Sequence, residues 1–187
     1  MMPFTRVEGR AYPVPLNHID TDLIIPAEFL KTIHRSGLGR HAFEALRKIP
    51  GNVFDDPAYT AAPIIIALDN FGCGSSREHA AWALADLGVR AVIATSFSDI
   101  FSGNAFKNGI VTVELERYAV EALLHSACEH RICVDLEQML VTSSAGQRFS
   151  FAMDTFRREC LLGGLDEIAL TLKHEPAIRA YEVRTGI

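Results

Sequence analysis

Three short apolar runs, Pro63 to Leu68, Arg90 to Thr95 and Ile110 to Leu115, alternate with two helix-patterned segments, Ser76 to Leu87 and Ser98 to Lys107. The run Pro63-Ile64-Ile65-Ile66-Ala67-Leu68 is short, rich in β-branched residues and without a polar face, so it reads as a strand buried on both sides. Strand, helix, strand, helix, strand in this order implies a parallel α/β unit with right-handed crossovers. In the first helix Ala80, Trp82, Ala83 and Leu84 are available for packing and Gly88 supplies the C-terminal cap. Asn108-Gly109 ends the second.

The flanks add to this centre. Met1 to Leu16 reads as extended chain broken by Gly9, Pro13 and Pro15, followed by the polar turn Asn17 to Asp22. Pro26 at a first helical position predicts a short helix over Ala27 to Ile33, and Arg40 to Lys48 predicts another. Pro50 to Pro57 is a surface loop. Arg117 to Glu129 carries a helical apolar pattern. Arg131 to Leu136, Met139 to Thr142 and Arg148 to Met153 read as strands, the last pair joined at Ser143 to Gly146. Helices are expected at Thr155 to Leu162, Glu167 to Lys173 and Pro176 to Val183. No repeat or linker interrupts residues 1–187, so one domain is expected: α/β, a parallel centre, an antiparallel addition and C-terminal helices.

Charge and composition exclude several function classes. The 187 residues hold 18 Lys and Arg against 23 Asp and Glu, a net charge of −5. A protein that tracks nucleic-acid phosphates needs a basic surface, so no nucleic-acid partner is expected. The longest apolar stretch, Ala61 to Leu68, contains Pro63 and falls far short of the roughly 20 residues of a membrane span. The opening MMPFTRVEGR lacks the apolar core of a secretory signal, which makes a cytoplasmic protein the expectation. Cys73, Cys128, Cys133 and Cys160 form no C-x-x-C pair and no zinc spacing. They read as reduced, mostly buried thiols, with no metal bound by this chain.

The stretch Asn70-Phe71-Gly72-Cys73-Gly74-Ser75-Ser76-Arg77-Glu78-His79 carries the chemistry. It lies between a buried strand and a helix, where open α/β sheets bind ligands. Gly72 and Gly74 allow positive φ and close backbone approach. Ser75 with Glu78 three residues on matches a capping box, which would aim free helix N–H groups into the loop. Arg77 adds a fixed cation suited to a carboxylate. A dinucleotide fingerprint fails because Arg77 stands where a third glycine is needed, and no Gly-Lys-Ser/Thr makes a phosphate loop. A nucleophile elbow centred on Cys73 would need glycine at Phe71 and Ser75. A small carboxylate fits. Cys73 paired with His79 is the rival chemistry, since helix N-termini lower thiol pKa, but no orienting acid is evident.

Phe71-Gly72-Cys73-Gly74-Ser75-Ser76-Arg77-Glu78-His79-Ala80 resembles the signature of the small-subunit family of bacterial 3-isopropylmalate dehydratases, in the aconitase superfamily. Asp20-Thr21-Asp22 with Ile24-Ile25-Pro26 and Phe29-Leu30-Lys31 looks like that family's N-terminal motif. Arg90 to Ala94, Ser96 to Phe101 and Phe106 to Gly109 are similar to the segment after the site, and Gly164-Leu165-Asp166, Leu170 to Leu172 and Ala180 to Glu182 to its C-terminal run. The likeness covers most of the chain, in order.

The resemblance implies a swivelling β/β/α domain that closes over a separate large subunit with a [4Fe–4S] cluster, and no cofactor on this chain. It implies a hydro-lyase of leucine biosynthesis, which moves a hydroxyl between adjacent carbons of a small hydroxy-dicarboxylate through an unsaturated diacid. The cluster's open iron would act as Lewis acid. By motif, Ser75 corresponds to the catalytic base, supported by a positive field from amides and Arg77. Arg77 would hold a substrate carboxylate, Ser76 would hydrogen-bond beside it, and Thr21, Asp22 and Gly74 would line the site. Asp22 reads equally as a turn residue. Phe29, Leu30 and Ile33 correspond to the segment that reads the substrate's side chain; otherwise they are ordinary helix core. His79 reads as a surface or packed histidine. The short segment between Arg47 and Pro63 and the run Ser102-Gly103-Asn104-Ala105 depart from the family pattern. They leave open a paralogue for a methylmalate, dimethylmalate or citramalate, and a non-catalytic anion-binding subunit stays as the alternative from another class.

Overall fold

The computed structural model describes residues 1–186. The first half runs β1 (Arg6–Gly9), β2 (Ala11–Val14), α1 (Thr21–Ile24), α2 (Glu44–Arg47), β3 (Ile64–Ala67), α3 (His79–Leu87) and β4 (Ala91–Ala94). Next come α4 (Asp99–Lys107), β5 (Val111–Glu114), α5 (Arg117–Ala127), β6 (Ile132–Asp135), β7 (Leu140–Ser143) and β8 (Arg148–Ser150). Helices α6 (Thr155–Gly163), α7 (Glu167–Leu172) and α8 (Glu175–Thr185) close it, and short 3-10 turns occupy Ala27–Lys31, Gly39–His41 and Pro57–Tyr59.

Two sheets carry the fold. One is parallel, in the order β2-β3-β4-β5; the other is antiparallel, in the order β1-β6-β7-β8. The expected parallel centre and antiparallel addition are both present. Every residue of β3 and β4 is buried, as an all-apolar run demands when both sheet faces are covered. One face, with Tyr12, Ile65, Ala67, Val92 and Ala94, packs against α3, Phe101 of α4 and the segment from Ile19 to Tyr59. The other, with Ile64, Ile66, Ile93, Val111 and Val113, packs against Ala119, Val120 and Leu123 of α5 and against Ile132, Val134 and Val141 of the antiparallel sheet. Pro13 sits in β2, an edge strand, where its missing N–H costs no ladder bond on the open side. Among the described residues no helix is long and apolar enough to cross a membrane.

Several expectations need correction. The extended N-terminus is two strands in two different sheets, because Gly9 and Arg10 carry the chain from one to the other. The helix expected over Ala27 to Ile33 is a 3-10 turn ending at Lys31. The helix expected over Arg40 to Lys48 is split, with Phe43 in the left-handed region at φ 58° so that its fully buried ring reaches the core. The helix after the glycine loop starts at His79, three residues later than its apolar pattern suggested. Of the thiols, Cys133 and Cys160 are buried, Cys73 is half-buried and Cys128 is exposed.

Candidate active site

Three loops leave the C-terminal end of the parallel sheet and are laced together by backbone bonds. After β2, the His18 N–H donates to the Asp69 carbonyl (2.7 Å) and the Ile19 carbonyl accepts from Gly72 N–H (2.7 Å). Thr21 N–H donates to the Cys73 carbonyl at 2.9 Å. After β4, the Ser96 carbonyl accepts from Phe71 N–H and Ser98 N–H donates to the Phe71 carbonyl, both at 3.0 Å. The loop Asp69 to Glu78 is therefore clamped on both sides, with Phe71 fully buried as its root. Gly72 (φ +77°) and Gly74 (φ +95°) supply the left-handed turns, and the Phe101 ring fills the space where a Gly72 side chain would stand.

The motif that the sequence placed far away arrives here. Thr21, buried at the start of α1, accepts a hydrogen bond at Oγ1 from Ser75 N–H (3.0 Å), and its Oγ1 lies 3.4 Å from where a Gly74 Cβ would be. The two Asp residues beside it divide the labour. Asp20 caps α1, accepting from Leu23 N–H at 2.7 Å, whereas Asp22 is exposed in the first turn. The turn-stabilising role weighed for Asp22 belongs to Asp20.

The capping box is absent. Ser75 Oγ accepts from Arg77 N–H (3.2 Å), two residues on, and Glu78 Oε1 accepts from Asn108 Nδ2 (2.7 Å) instead of reaching back to Ser75. Helix α3 begins at His79 with no side-chain cap. Residues Ser75 to Glu78 form an irregular bridge because the glycine turns and the Thr21 contact hold Ser75 out of helical register. Among the described residues the Ser76 and Glu78 N–H groups find no acceptor. Ser75 is half-buried, while Gly74, Ser76 and Arg77 are exposed. The result is an open surface offering unpaired amides, a serine oxygen and a guanidinium, which suits an anion.

Phe29 and Leu30 are half-buried and pack against the core, and the Phe29 ring stacks on His41 with centroids 3.8 Å apart. Ile33 is 86% exposed, so only it leaves the core completely. His79 is a packed histidine: Nε2 donates to the Thr32 carbonyl at 2.9 Å and the ring lies against Trp82. No hydrogen bond among the described residues joins it to Cys73. Burial, then the Asp20 carboxylate, raises the Cys73 thiol above its ordinary value, which disfavours the thiolate a nucleophile needs.

Sequence reading missed the brace behind the loop. Asn104 Nδ2 donates to the Ser76 carbonyl (3.3 Å), and Asn108 Nδ2 bonds both Glu78 and the Asn104 carbonyl. Their spacing of four, Asn104 in α4 and Asn108 at its C-cap, was the available signal, since it places both on one helix face.

A family model described as the aconitase C-terminal domain matches residues 1–118, and one for the C-terminal domain of the 3-isopropylmalate dehydratase small subunit matches residues 167–185. A 3-isopropylmalate dehydratase small subunit from Erythrobacter litoralis is 59% identical over 98% of this chain and 92% of its own. The chain belongs to the 3-isopropylmalate dehydratase small-subunit family. The family member from Zymomonas mobilis is 60% identical over 94% of this chain and 92% of its own. The crystal structure of 3-isopropylmalate dehydratase from Methanocaldococcus jannaschii superposes with a TM-score of 0.68 at 26% identity, covering 95% of this chain and 99% of that one. The aconitase-type fold expected from the resemblance is thereby established, and the small-subunit model falls on α7 and α8.

The iron–sulfur cluster of the resemblance does not fit this family member's own cysteines. Cys73 lies in the glycine loop, Cys128 after α5, Cys133 in β6 and Cys160 in α6, and no group of three potential ligands converges among the described residues.

Proposed function

We propose that this chain, residues 1–187, is one swivel domain acting as the small subunit of a two-subunit hydro-lyase in leucine biosynthesis, interconverting 2-isopropylmalate and 3-isopropylmalate. The observation that carries the reading is the clamped, outward-facing Ser75-Ser76-Arg77 bridge joined to Thr21. Proton transfer next to a carboxylate requires a site closed to water. Here Ser76 and Arg77 are open to solvent, so a second protein surface must complete the site. That surface belongs to a large subunit, which also carries the [4Fe–4S] cluster. The assembled enzyme works in the cytoplasm.

Each residue then has a task. Ser75 Oγ takes the proton from the carbon beside the substrate carboxylate as the hydroxyl leaves the adjacent carbon, a net loss of one water that gives the unsaturated diacid. Rehydration puts the hydroxyl on the carbon that lost the proton and the proton on the carbon that lost the hydroxyl. The Arg77 N–H already points at this oxygen, so a donor stands ready for the negative charge that a deprotonated serine carries. The Arg77 guanidinium grips a substrate carboxylate through two parallel N–H···O bonds. Ser76 and Gly74 contribute polar contacts beside it, and Thr21 fixes the Ser75 backbone. Asp22, released from capping, faces the substrate as a polar group. Ile33, with Phe29 and Leu30 behind it, meets the isopropyl group.

Arg77→Lys tests the reading. Among the described residues its exposed side chain makes no hydrogen bond, so the fold and subunit binding survive, while a lysine point charge loses the two-point grip. Turnover by the reconstituted enzyme should fall about a hundredfold. Turnover within a factor of two of wild type removes Arg77 from the carboxylate site.

A further inference from the structure

The segment from Thr21 to Thr32 is an arch beside the candidate site, and both of its feet stand on the same short stretch of chain, Ser75 to His79. One foot is Thr21 Oγ1, which accepts from Ser75 N–H. The other is the Thr32 carbonyl, which accepts from His79 Nε2 at 2.9 Å. Between them α1 is held by Phe43 N–H on the Ile24 carbonyl (2.9 Å), and the 3-10 turn Ala27–Lys31 by the Phe29–His41 stack. Beyond Thr32 the chain is exposed through Gly37 until Gly39 N–H reaches Asp86 Oδ2 (2.7 Å) at the far end of α3. Within that span His34 bonds only locally, to Thr32 Oγ1, and the Arg35 guanidinium lies over the Trp82 ring. His79 is thus the hydrogen bond that decides where the arch comes down.

The ring is committed to this task. Nε2 faces a carbonyl, so it carries a proton, and Nδ1 is buried without a hydrogen-bond partner among the described residues. A histidine kept for helix packing alone has no need of a long-range bond to a carbonyl 47 positions away.

We propose that His79 is a positioning residue: through Thr32 it sets the distance between the Ser75–Arg77 bridge and the arch residues Phe29 and Leu30, with Ile33 just beyond the foot, and so governs how well the substrate's apolar side chain is gripped. The proposal rests on the hydro-lyase reading given above.

Full-length His79→Gln and His79→Asn, each mixed with the cluster-loaded large subunit, separate this role from a structural one. A glutamine amide nitrogen reaches the place of Nε2, whereas an asparagine amide reaches only that of Nδ1. The Asn variant should raise KM for 3-isopropylmalate about tenfold with kcat within twofold, and the Gln variant should return KM to within about threefold of wild type. In the isolated chain, hydrogen exchange at residues 28–37 should quicken several-fold in the Asn variant and not in the Gln variant. A purely structural histidine would lower the melting temperature of both variants alike and leave both readouts unsplit. Equal KM and equal exchange in the two variants overturn the proposal. If the wild-type mixture is itself inert, the hydro-lyase reading fails, and the exchange comparison alone still decides whether His79 anchors the arch.

Discussion

Replacing Ser75 with alanine lowers turnover of the assembled enzyme by about a thousandfold, the order of effect that a positioned general base supplies. The fold is spared. The Ser75 backbone keeps its bond to Thr21, and among the described residues the only internal bond lost is that from Arg77 N–H to Oγ, whose donor is left next to solvent. Stability should therefore change by no more than about 0.5 kcal/mol. Ser75 is favoured over Ser76 because it is half-buried and held at two points, whereas Ser76 is exposed and its hydroxyl makes no bond among the described residues. The measurement is kcat for Ser75→Ala and Ser76→Ala side by side, with the melting temperature of each chain. A Ser75→Ala enzyme that keeps a tenth of wild-type turnover shows that the base lies elsewhere.

The second large effect is on folding. Gly72→Ala puts a Cβ into the Phe101 ring at a backbone φ of +77°. The left-handed conformation costs an L-residue about 1 to 2 kcal/mol and overpacking a close contact adds about 1 to 3 kcal/mol. About 3 kcal/mol together corresponds to a fall of roughly 6 to 12 °C in melting temperature for a chain of this size. Gly74→Ala is the internal control. Its φ of +95° carries the same backbone strain, but its Cβ would meet Thr21 Oγ1 at an ordinary 3.4 Å. Thermal unfolding should rank Gly72→Ala well below Gly74→Ala. Equal melting temperatures would mean that Phe101 does not root the loop.

How much of this was legible in the sequence depends on the range of the interaction. The strands β3 and β4 were readable because burial on both faces leaves an unbroken apolar run, a property of the strand itself. The glycine turns were readable for the same reason, since only glycine takes those φ values without strain. The start of α3 was not. The Ser75–Glu78 spacing satisfies a local capping rule, but Thr21 takes the Ser75 N–H and Asn108 takes the Glu78 carboxylate, both from distant elements. Long-range partners overrode a local preference. The same holds for Phe43, whose left-handed backbone is enforced by its ring entering the core beside Phe54. Asn104 and Asn108, which brace the loop from another segment, left only their spacing to find them by.

The effects on turnover presuppose one claim, that the open Ser75–Arg77 face becomes an active site when it is covered by a large subunit. The direct measurement is anaerobic turnover of 3-isopropylmalate by this chain, by the cluster-loaded large subunit, and by the two mixed. The account predicts turnover in the mixture and none in either subunit alone. Turnover by the large subunit without this chain, or an inert mixture of two subunits that nevertheless bind each other, would contradict it.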